Sequence, residues 1–343
     1  MSTSPTGLGS EHPDSEHPDS EHPDSDLSLA PSALALPGLA AQLTEPTSIA
    51  LAQAIQFEAI ATPLRPEPIP TAYSSAHASQ ALKDRTEAPP LLLIHGFDSS
   101  QFEFRRLLPL LAGGAGGARE VWLMDLLGFG FSDRPTDIPL NPDTIKTHLH
   151  AFWQQKIGRP VVLVGASMGG AAAIDFALSY PNQVDRLVLL DSAGYQNGPV
   201  IGKFLFSPVD QWAVEFLRRP DVRRKISLNA YFAGDRLVTP DAELCARLHL
   251  EMPGWDRALR AFTKSGGYPK LRSRLPQLRS ETLLIWGRQD KILGTKDAVP
   301  FSRAIPHCQL VWIEDCGHVP HLEKPELVVG AIAAYLSPKT RLT

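Results

Sequence analysis

The chain has 343 residues, of which 43 % are hydrophobic, and a formal net charge of −4. That length accommodates one catalytic domain of about 250 residues with additions, and that apolar share excludes a wholly disordered chain. The first 64 residues hold nine acidic side chains and no Lys or Arg, so the remainder carries +5, the difference between −4 and −9. With no nucleic-acid-binding motif beside it, so weak a positive charge points to no nucleic-acid partner.

Residues 11–25 are three copies of Glu-His-Pro-Asp-Ser. A five-residue period with a proline in each copy and no apolar residue cannot repay its ordering entropy, so a disordered acidic tail is expected. A sharper alternative uses His12, His17 and His22, with the neighbouring carboxylates, as a weak metal-binding tract. Residues 27–48 are rich in Ala, Leu and Pro and read as a linker, which makes 1–48 tail and linker together. Leu27 to Leu43 is the longest apolar stretch, but Pro31 and Pro37 interrupt it and its 17 residues fall short of the about 20 that span a bilayer. It follows acidic residues, not the basic n-region of a secretory signal. Cys245, Cys308 and Cys316 match neither a disulfide framework nor a zinc template and read as inert buried thiols. A cytoplasmic protein is therefore expected. Its folded part should begin near Ile49, with a first strand or two within residues 49–62.

From Pro90 onward the pattern sharpens. Six short apolar runs follow: Leu91 to Ile94, Val121 to Met124, Val161 to Val164, Leu187 to Leu190, Leu283 to Trp286 and Leu310 to Ile313. None alternates with polar residues, which indicates strands buried on both faces. Helical patterns separate them: residues 143–157 capped by Asp143 or Thr144, the segment from Ser167 to Tyr180, and Leu322 to Leu336. This α/β alternation predicts a doubly wound, mostly parallel sheet whose site lies at the carboxyl ends of its strands. Between Asp191 and Glu281 the alternation stops. Residues 196–275 read as a helical cap, inserted into a core made of 49–195 and 276–343.

Gly165-Ala166-Ser167-Met168-Gly169 has the Gly-x-Ser-x-Gly form of a nucleophile elbow, with an apolar run before it and a helix after it. A serine hydroxyl needs an adjacent base at neutral pH, and the base should come last in chain order. His318 stands at the turn leaving the last strand, with His321 as competitor. The acid that orients it is Asp290, 28 residues earlier, with Asp191 as rival at the preceding strand end. An oxyanion needs two backbone donors, and the candidates are the amides of Met168 and of Phe97, just after His95-Gly96.

The set His95-Gly96-Phe97-Asp98, Asp125 with Gly128 to Pro135, Gly165 to Gly170, Gly287 to Asp290 and Gly317-His318 closely resembles the α/β-hydrolase fold family over residues 49–343. The resemblance implies a Ser–His–Asp triad under a helical cap and a structural role for the loop after Asp125; no cofactor or metal is expected. The runs around Phe97 and Gly128 are similar to those of uncharacterised plastid and cyanobacterial members. Some relatives of that type cleave phytyl esters of chlorophyll.

Serine at the elbow, where dehalogenases and epoxide hydrolases of that family have aspartate, favours cleavage of an ester or related acyl bond on a small or lipid-like substrate. A carbon–carbon hydrolase, which the run Leu190 to Gly194 also resembles, or a cofactor-free perhydrolase would use the same triad. A non-catalytic ligand-binding protein is the alternative from another class. Residues 196–280 hold 15 Lys and Arg against eight acids, a net +7. Arg218, Arg219, Arg223, Arg224 and Lys225, beside Trp212, Phe216 and Leu217, are expected to face solvent, an anionic lipid surface or the acidic repeat of the same chain.

Overall fold

The computed structural model describes residues 35–76, 88–115, 119–196 and 208–337. The Glu-His-Pro-Asp-Ser repeat and residues 197–207 of the expected cap lie outside the described residues.

Eight strands form one sheet in the order β1-β2-β4-β3-β5-β6-β7-β8. They are β1 Gln56–Thr62, β2 Arg65–Ala76, β3 Leu91–Ile94, β4 Val121–Met124, β5 Val161–Ala166, β6 Val184–Leu190, β7 Glu281–Gly287 and β8 Cys308–Ile313. Strand β2 runs antiparallel to β1 and β4, and every other pairing is parallel. The six apolar runs read from the sequence are β3 to β8. Successive side chains in a strand point to opposite faces, so each run feeds two cores, but the expected burial on both faces fails for β8, which ends the sheet and is buried only at Ile313. Leu92 and Ile94 join Phe152, Phe176 and Trp286 on one side of the sheet, while Leu91 and Leu93 join Phe102, Phe104 and Ile332 on the other.

The winding reverses between β3 and β5. The chain passes from β3 outward to β4, then returns beyond β3 to β5 and proceeds the other way to β8. Such a switch point opens a crevice at the strand ends. His95-Gly96-Phe97 leaves β3 there and Ser167 leaves β5 there, so two segments 70 residues apart meet because of strand order alone.

Helices of six or more residues are numbered in chain order. Helix α1, Pro46–Ala54, precedes β1 and occupies part of the segment expected to hold the first strand. The ordered fold also begins before Ile49. A 3-10 turn spans Gly38–Gln42, Leu43 and Ser48 are buried, and the Thr44 and Glu45 amides donate to Asp241 Oδ1 at 2.5 and 2.9 Å. Residues 38–48 therefore dock on the fold rather than link to it, because a buried carboxylate nearly 200 residues away satisfies the Thr44 and Glu45 amides. Helix α2, Pro142–Lys156, starts one residue earlier than expected and is capped by Asn141, whose side chain accepts from the Thr144 amide at 3.0 Å. Helix α3 is Met168–Ser179.

The described part of the segment between β6 and β7, the expected cap, holds four helices of six or more residues: α4 Val209–Arg218, α5 Pro220–Ala230, α6 Pro240–Cys245 and α7 Trp255–Ser265. Helices α8, Ala298–Ala304, and α9, Pro325–Leu336, complete the core; a short turn, Pro320–Glu323, occupies the start of the expected last helix. All three cysteines are free. Among the described residues no helix is long and apolar enough to cross a membrane.

Candidate active site

Ser167 stands between β5 and α3 with φ 51° and ψ −117°, a conformation costly for any residue with a side chain. The flanking glycines make that turn possible. A Cβ on Gly165 would lie 2.4 Å from the Gly169 carbonyl oxygen, and one on Gly169 would lie 2.3 Å from that of Ile94. Only hydrogen at both positions lets helix and strands pass so closely.

His318 follows β8 and reaches back over the sheet end. Its Nε2 lies 3.0 Å from Ser167 Oγ, and its Nδ1 lies 3.0 Å from Asp290 Oδ2. A carboxylate accepts there, so Nδ1 carries the ring proton and Nε2 is left to accept from the serine hydroxyl. Asp290 is itself held, because its Oδ1 accepts from the Ile292 and Leu293 amides at 2.7 and 3.1 Å. The three side chains singled out in the sequence thus form one hydrogen-bonded chain.

Neither rival is bonded to Ser167 or His318, although Asp191 lies beside Asp290. Asp191 Oδ1 accepts from the Gly287 amide at 2.9 Å, and its buried Oδ2 has no donor among the described residues. Burial, reinforced by the Asp290 charge, raises its carboxyl well above the usual range. His321 is buried against Phe104, its Nε2 3.7 Å from Glu103 Oε2, and burial pushes its pKa down to about 4.

The backbone of Gly96 passes over the serine: a Cβ on Gly96 would lie 3.3 Å from Ser167 Cβ. The Gly96 amide donates to Glu103 Oε2 at 2.9 Å, which leaves the next amide, that of Phe97, as the unspent donor. Met168 opens helix α3, where amides have no intrahelical acceptor. Among the described residues neither the Phe97 nor the Met168 amide has a protein acceptor. Two free donors beside a serine bonded to histidine can stabilise an oxyanion.

The model of the alpha/beta hydrolase family matches residues 91–331. The chain belongs to that family. The α/β-hydrolase domain-containing protein VTE7 of Arabidopsis thaliana is 33 % identical over 250 residues, 73 % of this chain and 74 % of that protein. Lipase 1 of Psychrobacter immobilis is 29 % identical over 68 % of this chain and 72 % of its own. A 2-hydroxymuconate semialdehyde hydrolase of a Pseudomonas species is 28 % identical over 75 % of this chain and 89 % of its own. Among solved structures, an esterase of Thermogutta terrifontis superposes with a TM-score of 0.66 at 24 % identity, covering 82 % of this chain and 98 % of that one, a likeness of fold.

In this α/β hydrolase, Asp125 is fully buried and accepts from the Gln101 and Phe131 amides at 2.7 and 2.9 Å. It ties the loop after β4 to the loop after β3, the structural part that the resemblance assigns to it. Phe97, 46 % exposed, stands over Phe129 and Phe262, each ring 6.1 Å away, so core and cap together build an aromatic wall next to Gly96.

Three acids shape the site without having been given a role from the sequence. Glu103 holds the Gly96 amide. Glu323 accepts from the Gly317 amide at 2.7 Å and from the Phe232 and Ala233 amides at 3.0 and 2.8 Å. Asp98 binds the cap. Only Asp98 had a sequence signal, its place directly after Phe97.

Proposed function

We propose that this α/β hydrolase cleaves a carboxylic ester with an apolar, lipid-like part through an acyl-enzyme on Ser167. The observation that carries the reading is the chain Asp290–His318–Ser167, with 3.0 Å at each histidine nitrogen. Ser167 Oγ attacks the ester carbonyl as His318 Nε2 takes its proton. The Phe97 and Met168 amides hold the resulting oxyanion. His318 returns the proton to the leaving alkoxide, which departs as the alcohol. Water, deprotonated by the same nitrogen, then attacks the acyl-enzyme, releasing the acid and restoring the serine. Asp290 keeps the imidazole in the required tautomer throughout.

The aromatic wall of Phe97, Phe129 and Phe262 supports an apolar substrate, and similarity to a lipase supports an ester. A carbon–carbon hydrolase is the second reading, favoured by the relatives that act on 2-hydroxymuconate semialdehyde. A fluorophosphonate probe should label the wild-type protein and not Ser167→Ala. A panel of p-nitrophenyl esters of increasing chain length should show turnover that falls at least about a thousandfold in that variant. Absence of Ser167-dependent labelling and of ester turnover would sink the reading.

The cap offers a route to a membrane-borne ester. Val209, Trp212 and Phe216 are 49, 67 and 55 % exposed and lie at i, i+3 and i+7 of α4, so they share one face. The basic cluster beside them is smaller than expected. Arg223 turns inward to Asp98, Arg218 donates to the Leu250 carbonyl, and Arg224 pairs with Glu243. Arg219 pairs with Asp221 and lies over the Phe216 ring, so what this α4 face would insert into lipid is mainly apolar.

A further inference from the structure

Asp98 is gripped by the cap from three sides. Its Oδ1 accepts from Trp255 Nε1 at 2.7 Å and from His249 Nε2 at 3.2 Å, and its Oδ2 accepts from Arg223 Nη2. The Asp98 side chain is 8 % exposed and that of Arg223 13 %. Arg223 is locked in turn, by its Nε bond to the Leu217 carbonyl at 2.7 Å and by the Trp255 ring 5.6 Å away. Burial acts to raise the Asp98 carboxyl, but the His249 hydrogen bond and the Arg223 charge outweigh it and hold it below the usual range, so it stays ionised. A buried ion pair of this kind is costly to break from one side. Asp98 also adopts φ 50°, so its side-chain contacts and its backbone turn are set together.

The helix that supplies Arg223 has a second attachment. At its far end, Ala230 accepts from the His318 amide at 2.7 Å, and the Phe232 and Ala233 amides that follow share Glu323 with Gly317. One cap helix, α5, therefore grips the loop after β3 at its first turns and the histidine loop at its last.

We infer that Asp98 is a positioning residue: its clasp to Arg223, His249 and Trp255 places the adjacent Phe97 amide over Ser167, with α5 as the strut that sets this loop relative to His318. The inference rests on the ester-hydrolase reading above. The part of the cap that admits substrate then lies away from α5, because lifting α5 would dismantle the site. Loosening the clasp should weaken binding of the oxyanion and leave ground-state binding nearly untouched.

The test uses the full chain and the variants Asp98→Asn, Arg223→Met and Trp255→Phe. Asparagine tolerates the positive φ and removes the charge. Three quantities are measured: kcat and KM on a p-nitrophenyl ester, Ki for an aliphatic trifluoromethyl ketone that forms a tetrahedral oxyanion adduct, and Tm. Outright loss of an oxyanion donor costs about 100- to 1000-fold in kcat, so its displacement in Asp98→Asn should cost about 10- to 100-fold. The ketone Ki should rise by a similar factor while KM stays within about threefold. Arg223→Met should follow the same direction. An unchanged kcat and Ki in folded Asp98→Asn, or a loss confined to KM, would overturn the inference. If Asp98→Asn does not fold, Trp255→Phe decides, since it removes one hydrogen bond and keeps a ring. A parallel loss in kcat and ketone affinity supports the clasp, and no change in either overturns it. Wild-type protein that neither turns over esters nor labels at Ser167 would fell the functional reading and this inference together. An active wild type with an unaffected Asp98→Asn fells this inference alone.

Discussion

Asp191 and Asp290 leave neighbouring strands with buried carboxyls facing one another, yet only Asp290 reaches His318. One carboxyl oxygen of each and one nitrogen of His318 lie within 4.8 Å of one another, and the hydrogen bond to Nδ1 belongs to Asp290. Asp290→Asn should therefore lower kcat by about four orders of magnitude, because an amide favours the wrong tautomer. Asp191→Asn, whose amide can still serve the Gly287 N–H, should cost less than about tenfold. Steady-state kinetics of the two variants check this, and the reverse order would move the orienting acid to Asp191.

The same pair makes stability depend on pH. The Asp191 carboxyl is raised in the folded chain, by burial first and the Asp290 charge second. The folded protein thus holds a proton there that the unfolded chain releases. Stability from this group is full below the unfolded carboxylate pKa of about 4 and is lost as pH rises toward the folded value. Asp191→Asn resembles the protonated form and escapes that loss. Its Tm should match wild type near pH 4 and exceed it at pH 8. A variant less stable than wild type at pH 8 in differential scanning calorimetry would contradict the account.

Two truncations should separate tail from fold. Removing residues 1–26 deletes the charged repeat and should leave Tm and activity unchanged. Removing residues 1–48 strips the Thr44, Glu45 and Ser48 donors from Asp241, with Ser48 Oγ at 2.6 Å, and exposes the site of Leu43. Losses of roughly 3–5 kcal/mol follow from those contacts, a fall in Tm of roughly 5–10 °C. Equal melting temperatures for the two truncations would show that the segment from residue 38 adds nothing.

Membrane contact through α4 should depend on its apolar face. The double variant Trp212→Ala, Phe216→Ala should lose most co-sedimentation with anionic vesicles at low salt and keep wild-type turnover of a soluble short-chain ester. Binding by neither wild-type nor tail-deleted protein would end the membrane proposal. Binding gained only after removal of residues 1–26 would assign the acidic repeat a masking role.

The sequence by itself determined strands β3 to β8, the elbow and the order of the site residues, but not β2, which lies beyond the residues 49–62 expected to hold the first strands. Uninterrupted apolar runs bury both faces of a strand, small residues around Ser167 permit a tight turn, and helix and strand periods are local properties readable within about ten residues. Choices that depend on partners far along the chain were decided only by tertiary structure. Asp290 and Asp191 each follow a strand, and only the hydrogen bonds separated them: Asp290 meets His318 Nδ1 while Asp191 accepts from the Gly287 amide. Arg223 has the local pattern of a surface cation but pairs with Asp98, 125 residues earlier. Residues 38–48 have the composition of a linker but dock on Asp241, and Glu323 has the setting of an ordinary helix-turn acid but joins the histidine loop to the cap. In each case the energy comes from satisfying a buried charge or amide, and which groups become buried together is a property of the packed chain rather than of any short stretch of it.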